Sequence, residues 1–382
     1  MKKYSFLIIF FLANAFLFAQ ENNRHTLHSQ ILTEPRPYLV HLPASYANDL
    51  FYINKKYPVL ILLDGDRLFP LVTGMVQQMS SGGTEQIPEM IIVGVPNTDR
   101  NRDMLPRYTT ENNLNDNGGA PLFLQFLEKE LMPEIEKNYR ANNCRILVGH
   151  SHAGVFAANS FINKSIFNGY LSIDPNLRLD EEIILNKSKV AFNDSKKYVS
   201  NIYIAQANNP FNERAALNGA TKNFQDYLKE KKLEGLRFKF EYFPNEDHFS
   251  IPTIALYNGL RFIFDGYKFP LNEIMDTDIF SINNHYNTLK NRFGGELSPP
   301  GKLLNQAGLF LLRSEDQIER AIKILELNRT YYPASPIPYN SLGDAYRAKE
   351  DNETAIGNYK KALALHPSNE HARVALEEMR NN

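Results

Sequence analysis

The chain has 382 residues, of which 43% are hydrophobic, and its formal net charge at pH 7 is −1. This length suffices for two domains with buried cores, and the balanced charge argues against a nucleic-acid partner. With Cys144 as the single cysteine, the chain cannot form an internal disulfide, and we interpret this residue as a small core side chain.

Residues 1–20 have the pattern of a secretory signal. Lys2 and Lys3 precede an apolar run that ends near Ala19 and Gln20. A basic start, an apolar stretch of about a dozen residues and a small residue at its end are typical of cleaved export signals. The run is shorter than the ~18 apolar residues that a spanning helix needs. We therefore expect a secreted or periplasmic protein with no stable membrane span after cleavage; the alternative is a retained anchor.

Strands and helices alternate through residues 21–270. Apolar runs that predict buried strands lie at 57–65, 89–96, 145–150, 169–175, 201–207 and 237–243. Helical spacing of apolar residues lies between them at about 67–79, 120–138, 152–163, 213–231 and 252–265, with Pro133 as the expected kink of the second helix. The earlier segments TLHSQIL and RPYLVHLP predict an antiparallel hairpin at the sheet edge. The pattern predicts an α/β domain with a doubly wound, mostly parallel sheet.

The sequence changes character after residue 270. Segment 271–300 is irregular and ends in Gly and Pro, which predicts a linker. Segment 301–382 contains the landmarks of a tetratricopeptide repeat, which has a period of about 34 residues: Tyr339, Leu342, Gly343, Tyr346, Ala355, Tyr359, Ala362 and Pro367. Ala321 and Pro333 mark a weaker preceding repeat. We expect a small all-α domain that offers a possible surface for a protein partner.

The segment LVGHSHAG, at 147–154, is the strongest candidate for a reactive group. It predicts a strand, a sharp turn at Ser151 and a helix rich in small residues. A serine hydroxyl is a poor nucleophile until a base activates it, and the strand-to-helix turn G-x-S-x-G exposes such a serine. Here Ala153 stands at the second glycine position and Gly154 follows it. The alternative is that Ser151 serves as an ordinary helix N-cap.

A candidate base lies far downstream. His248 is in the loop FPNEDHFSIP after the last predicted strand, which gives the chain order serine, acid, histidine. Our candidate for the acid is Glu213, which follows strand 201–207. Asp174 and Asp247 are alternatives, and a Ser-His dyad without an acid stays open.

The developing oxyanion of an acyl transfer needs backbone donors. We expect these to be the N–H groups of His152 and Asp66, with Asp64 holding the turn before Asp66. His150 and His152, on either side of Ser151, are expected to diverge and lack a third ligand at a familiar spacing, so the sequence predicts no metal site.

A second charged motif lies in PNTDRNRDMLP. For Arg100, Arg102 and Asp103, a structural ion pair is preferred over substrate contact.

Several segments together resemble one enzyme family. YPVLILLDGDRLF, IIVGVPNTDRNRDMLP, ILVGHSHAGVFA, NEDHFSIP and ALYNGLRFIFDGY are similar to the putative esterase family, which includes esterase D, enterochelin esterases and feruloyl esterase domains. The resemblance implies an α/β-hydrolase fold and cofactor-free ester hydrolysis. It places the nucleophile at Ser151, the base at His248 and the oxyanion amides at His152 and Asp66. Ala153 departs from the family pattern, and the acid position is not clearly matched.

The sequence therefore predicts an exported serine carboxylic-ester hydrolase. We expect its substrate to be a small polar acyl ester of the sugar-linked or siderophore-lactone type, attacked through an acyl-enzyme. The alternatives are a weak or inactive hydrolase-fold binding module whose repeats recruit a protein, and an acyltransferase.

Overall fold

The structure is a computed structural model that describes residues 23–381 except 49, 82–84, 107–117, 209–218, 270–272, 275–277, 294 and 296. The predicted signal, 1–20, lies outside the described residues. The chain divides into two compact units. The first contains the chain up to Leu42 together with Pro58–Val76 and Met90–Ile263, and the second contains Pro43–Tyr57, Gln77–Glu89 and Phe264–Asn382.

The first unit is built on an eight-stranded sheet with the order β1-β2-β4-β3-β5-β6-β7-β8. Its strands are β1 Arg24–Ser29, β2 Glu34–His41, β3 Tyr57–Leu63, β4 Ile91–Val95, β5 Ala141–His150, β6 Gly169–Ile173, β7 Lys197–Ala207 and β8 Glu234–Phe243. β1 pairs with β2, and β2 with β4, in antiparallel register. β3 with β4, β5 with β6, β6 with β7 and β7 with β8 are parallel. The predicted hairpin and the mostly parallel sheet are confirmed.

The central strands read as continuous apolar runs because both of their faces are covered. Every residue of β3, β4 and β6 is buried. Cys144 is buried in β5, and burial raises the pKa of its thiol to about 12, so it stays protonated as a core side chain.

Helices follow most strands of the sheet. In chain order they are α1 Ser45–Asn48, α2 Gly65–Ser80, α3 Arg100–Met104, α4 Ala120–Phe126, α5 Met132–Asn138, α6 His152–Ile162, α7 Leu179–Ala191, α8 Ala220–Lys231 and α9 Ile251–Ile263. A π-helical turn, Leu127–Leu131, joins α4 to α5 just before Pro133. Pro133 cannot donate a backbone hydrogen bond, and the kink expected there takes this form. The first residues of the helix predicted at 213–231 lie outside the described residues.

The C-terminal part of the second unit is helical. Its helices are α10 Ile279–Phe293, α11 Gly301–Leu311, α12 Ile318–Tyr331, α13 Pro336–Ala348, α14 Asn352–Leu365 and α15 Glu370–Asn381. The expectation of an irregular linker over 271–300 is wrong in its middle, because α10 occupies it. Ile282, Tyr286, Leu289 and Phe293 of α10 are buried, which gives the helix an apolar face.

The landmark residues of the predicted repeat lie inside this helical region. Ala355, Tyr359 and Ala362 of α14 form one buried cluster with Ala372 and Ala375 of α15. A methyl group added at Gly343 of α13 would collide with the ring of Tyr359, so a small residue is needed where these two helices meet.

Across the part of the chain that the structure describes, each helix is too short or too polar to cross a bilayer.

Candidate active site

Ser151 lies in the sharp turn between β5 and α6. Its backbone has φ 62° and ψ −121°, a conformation that costs a non-glycine residue about 1–3 kcal/mol. The Ser151 N–H donates to the carbonyl of Ile173 in β6 at 2.8 Å, and its own carbonyl accepts from Val155 N at 3.0 Å. Crowding surrounds the turn, because a methyl group added at Gly149 would strike the Ala153 carbonyl. The predicted strand–turn–helix is confirmed. Backbone hydrogen bonds to Ile173 and Val155 stabilise the strained conformation of Ser151.

His248 lies in the loop between β8 and α9 and is oriented by a carboxylate. Its Nδ1 is 2.5 Å from Oδ2 of Asp174, the residue that follows β6. The other oxygen of Asp174 accepts from Ala207 N at 2.9 Å and from the Gln206 amide. Because Asp174 is buried and held by these donors, it fixes the imidazole with Nδ1–H toward the carboxylate. The Nε2 atom is then the proton acceptor of the ring.

The structure brings Asp174, one of the alternatives named from the sequence, to His248. Glu213 lies outside the described residues. Asp247, the other alternative, turns its Oδ1 to the N–H groups of Phe249 and Ser250 at 2.7 and 2.9 Å. It therefore closes the loop ahead of α9 and does not orient the ring.

Ser151 and His248 line the same cleft, which has a volume of about 290 Å³. The other lining residues are Asp64, Asp66, Arg67, Asn97, Arg100, His150 and Phe249. Most of these side chains are polar or charged, which suits the polar substrate expected from the sequence.

An ion pair forms one wall of the cleft. Arg100 donates to both oxygens of Asp64 at 2.7 and 2.9 Å, and Asn97 adds a third hydrogen bond at 2.8 Å. Burial would raise the pKa of Asp64, but the hydrogen bonds from Arg100 and Asn97 outweigh it, so the pKa lies below its usual value. Arg100 also donates to the carbonyl of His150 at 3.1 Å. The ion pair predicted for Arg100 is therefore present, with Asp64 as its partner, in the wall of the cleft.

Arg102 and Asp103, the other two charged residues of the segment PNTDRNRDMLP, belong to a separate network of ion pairs. Arg102 donates to Asp103 at 2.7 Å and to Glu34 at 2.6 Å. Buried Arg36 completes the network with a 2.6 Å bond to Asp103. These side chains hold α3 to β2 rather than facing the cleft.

Two helices begin beside residues that line the cleft. Asp66 lines the cleft as the second residue of α2, and His152 begins α6 directly after Ser151. The first N–H groups of a helix have no partner within that helix, so both positions suit anion binding. The turn before Asp66 is tight, since Asp64 has φ 54° and a methyl group added at Gly65 would lie 2.5 Å from Val95 N.

His150 and His152 diverge, as expected from their positions. His150 contacts the His248 carbonyl, whereas Nδ1 of His152 is 2.9 Å from Oδ1 of Asn101. Burial lowers the pKa of the His152 ring. Among the described residues, no group of three His, Cys, Asp or Glu side chains is arranged to hold a metal ion.

Sequence reasoning missed the links made by Arg67 and Gln206. Arg67 Nη2 is 2.7 Å from Nδ1 of His150, and Gln206 supports Asp174. Gln206 belongs to no motif, and Arg67 lies in the segment YPVLILLDGDRLF without a role that its sequence indicates. Only the folded chain brings each to its partner. A usable signal for Asp174 did exist, since it follows the strand next to that of Ser151.

Comparison with known proteins identifies the family of the chain. A model of the putative esterase family matches residues 29–165. An IroE-like serine hydrolase from Shewanella oneidensis, known from a crystal structure, is 31% identical; the match covers 81% of this chain and 99% of that one, with a TM-score of 0.71. The ferri-bacillibactin esterase BesA of Bacillus subtilis is 27% identical over 226 residues, covering 54% of this chain and 78% of that protein. The apo-salmochelin esterase of Escherichia coli O6:H1 is 29% identical over 147 residues, or 34% of this chain and 45% of that protein.

The match covers almost all of the hydrolase from Shewanella oneidensis, and the fold and the serine turn agree with it. The chain therefore belongs to the putative esterase family of serine hydrolases. Its activity follows from this membership. The protein is a serine carboxylic-ester hydrolase.

Proposed function

We propose that this hydrolase acts through a Ser151–His248–Asp174 triad on an ester bond of a siderophore-type substrate. The observation that carries the proposal is the 2.5 Å contact between His248 Nδ1 and Asp174, with His248 and Ser151 lining one cleft. Two relatives, named as esterases of ferri-bacillibactin and apo-salmochelin, support the substrate class. The polar walls of the cleft suit such an oxygen-rich molecule.

The chemistry follows from the positions of the groups. Ser151 Oγ attacks the ester carbonyl carbon while His248 Nε2 takes the hydroxyl proton, and Asp174 stabilises the imidazolium. The oxyanion of the tetrahedral intermediate accepts hydrogen bonds from the N–H groups of His152 and Asp66. When the intermediate collapses, the C–O bond to the alcohol breaks and His248 gives that alcohol its proton.

The second half of the cycle restores the serine. Water attacks the acyl-enzyme carbonyl while His248 again takes a proton. The carboxylic acid leaves and Ser151 regains its hydrogen from His248. No cofactor enters either half.

The experiment compares the mature chain with its Ser151→Ala and Asp174→Asn variants. Substrates are a short-chain nitrophenyl ester, a feruloyl ester, an acetyl sugar and a catecholate trilactone. We expect the trilactone to give the highest kcat/KM, and each variant to lose about 10³-fold or more in kcat. A Ser151→Ala protein as active as the wild type would overturn the triad, and a preference for another ester would overturn the substrate class.

Glu213→Gln provides a matched control for the acid. We expect it to keep its activity, because the carboxylate at His248 is Asp174. Loss of activity in Glu213→Gln with retention in Asp174→Asn would return the acid role to Glu213.

We further propose that the protein is exported and that α11–α15 form tetratricopeptide repeats. The N-terminal pattern of residues 1–20 supports export. The burial of Ala355, Tyr359 and Ala362 at the landmark positions supports the repeat. N-terminal sequencing of the protein purified from periplasm or medium tests export, and an intact Met1 would contradict it. A protein partner for this surface stays a prediction.

A further inference from the structure

His150 joins three segments that carry the groups of the proposed triad and oxyanion site. It directly precedes Ser151, and its Nε2 is 2.7 Å from the backbone carbonyl of His248. Its other nitrogen, Nδ1, is 2.7 Å from Nη2 of Arg67, the residue after Asp66. The rings of His150 and His248 also lie against each other, with centroids 4.5 Å apart and planes at 37°.

The partners of His150 determine its tautomer. A carbonyl oxygen only accepts, so Nε2 must carry the hydrogen and donate to His248. A guanidinium only donates, so Nδ1 must be the bare nitrogen that accepts from Arg67. One neutral tautomer satisfies both contacts, whereas a second proton on the ring would face the Arg67 N–H.

Asp247 closes the loop of His248 by accepting from the N–H groups of Phe249 and Ser250. The neighbouring Phe249 is 78% exposed, and Asp247 and Ser250 are exposed as well. The ring is held by Asp174 and the backbone by His150. The hydrogen bond from His150 to the His248 carbonyl therefore ties the segment that carries the base to the residue beside Ser151.

We propose that His150 is a positioning residue that holds the His248 backbone in register with Ser151, and that Arg67 fixes the His150 tautomer for this purpose. The inference rests on the proposed Ser151–His248 chemistry. A shift of about 1 Å between reacting groups can cost about 10²-fold in rate, so loss of the His150 contact is expected to lower kcat more than it raises KM.

Two amide substitutions separate the contacts of His150. In His150→Gln the longer side chain can place its NH₂ near the former Nε2 and keep the donor to the His248 carbonyl. In His150→Asn the shorter side chain places its amide near the former Nδ1, which keeps an acceptor for Arg67 but not the reach to His248. The two variants share chemistry and burial and differ in the contact that survives.

The readouts are the rate of Ser151 labelling by a fluorophosphonate probe, kcat and KM on a nitrophenyl ester, and the melting temperature. We expect His150→Asn to lose about tenfold to a hundredfold in labelling rate and kcat, and His150→Gln less than about threefold, at similar melting temperatures. Equal rates in the two variants, whether high or low, would overturn the inference. If His150→Asn does not fold, Arg67→Met replaces it, with a several-fold slower labelling expected and a wild-type rate as the contradicting result.

The same assay separates this inference from the proposed function. Labelling that persists in Ser151→Ala means that the triad proposal fails. Labelling that is lost in Ser151→Ala but equal in the two His150 variants means that only the positioning role fails.

Discussion

At the level of single residues, the structure explains how an alanine fits a turn that usually carries two glycines. A methyl group added at Gly154 would lie 2.9 Å from the Ile173 carbonyl and 3.3 Å from the Gly149 carbonyl. Ala153 is fully buried, so its methyl group is already accommodated in the core. The restrictive small positions of this elbow are therefore Gly149 and Gly154, and the departure at Ala153 does not argue against a functional serine.

We expect Gly154→Ala to damage the elbow and Ala153→Gly to spare it. The new methyl group would displace the Ile173 carbonyl, which holds Ser151 N at 2.8 Å. Overpacking of this kind typically costs about 1–3 kcal/mol, and the shift of Ser151 should slow fluorophosphonate labelling. Urea unfolding and the labelling rate measure the two effects. Ala153→Gly removes a methyl group from a helix at a cost of about 1 kcal/mol, and a larger loss there than in Gly154→Ala would contradict this account.

His150 should also make stability depend on pH. Burial, with His248 and Arg67 nearby, lowers the pKa of His150 from 6.5 to about 4, although the hydrogen bond to the His248 carbonyl and the charge of Asp174 oppose the shift. Between these values the unfolded chain binds a proton that the folded chain does not. Stability contributed by neutral His150 is thus complete above pH 6.5 and is lost as the pH falls toward 4, by at most about 1.4 kcal/mol per pH unit.

The measurement is urea unfolding of the wild type and His150→Gln between pH 4 and 7. Since all other groups are shared, the difference between the two curves isolates His150. We expect the free energy of unfolding of the wild type to fall faster on acidification than that of the variant. Parallel curves would show that the ring titrates normally.

At the level of elements, apolar runs were sufficient to predict the strands. They did not show which side chains at the strand ends contact each other in the candidate site. β3, β4 and β6 are buried on both faces, and their continuous apolar sequences indicate that burial. The carboxylate beside His248 was harder to predict, because the three-dimensional fold determines which loop reaches this histidine. Asp174 reaches it with support from Ala207 and Gln206 at the end of β7, and no local pattern encodes that support.

The helix α10 was missed for a related reason. Its buried residues, Ile282, Tyr286, Leu289 and Phe293, follow helical spacing. Asn and polar residues between them, and the Gly and Pro that follow, gave the whole segment the composition of a loop. Periodicity was the better signal here, and composition misled the interpretation.

The packing of α14 gives a test of the repeat. Ala355 is fully buried in the cluster with Tyr359 and Ala372, so Ala355→Leu has no space for its side chain and should cost about 1–3 kcal/mol. Gly357 on the same helix is the matched control, since a methyl group added there meets no atom within 4 Å. Gly357→Ala should stabilise the helix by about 0.5–1 kcal/mol. Thermal unfolding followed by circular dichroism compares them, and equal melting temperatures would contradict the assigned packing.

At the level of the whole chain, the second unit is assembled from three separate stretches of sequence. Phe51 and Tyr52, from the first stretch, form a buried cluster with Tyr332 of the third. The ring centroids of Phe51 and Tyr52 lie 5.5 and 5.3 Å from that of Tyr332. A boundary drawn at residue 270 follows the change in composition, but it divides this cluster. Sequence alone could not show the division, because the stretch 43–57 reads as a loop between strands.

Truncation should therefore expose aromatic surface instead of releasing an independent domain. We expect fragment 23–268 to bind the dye ANS, melt at a lower temperature than chain 23–382 and aggregate, because Phe51 and Tyr52 lose Tyr332. Fragment 23–368 lacks only α15 and keeps the cluster, so it should bind less dye. Replacing Phe51 and Tyr52 with serine in the short fragment should reduce its dye fluorescence, which assigns the signal to these rings. A short fragment that melts like the longer chains and binds no dye would show that the boundary at residue 270 was drawn correctly from composition.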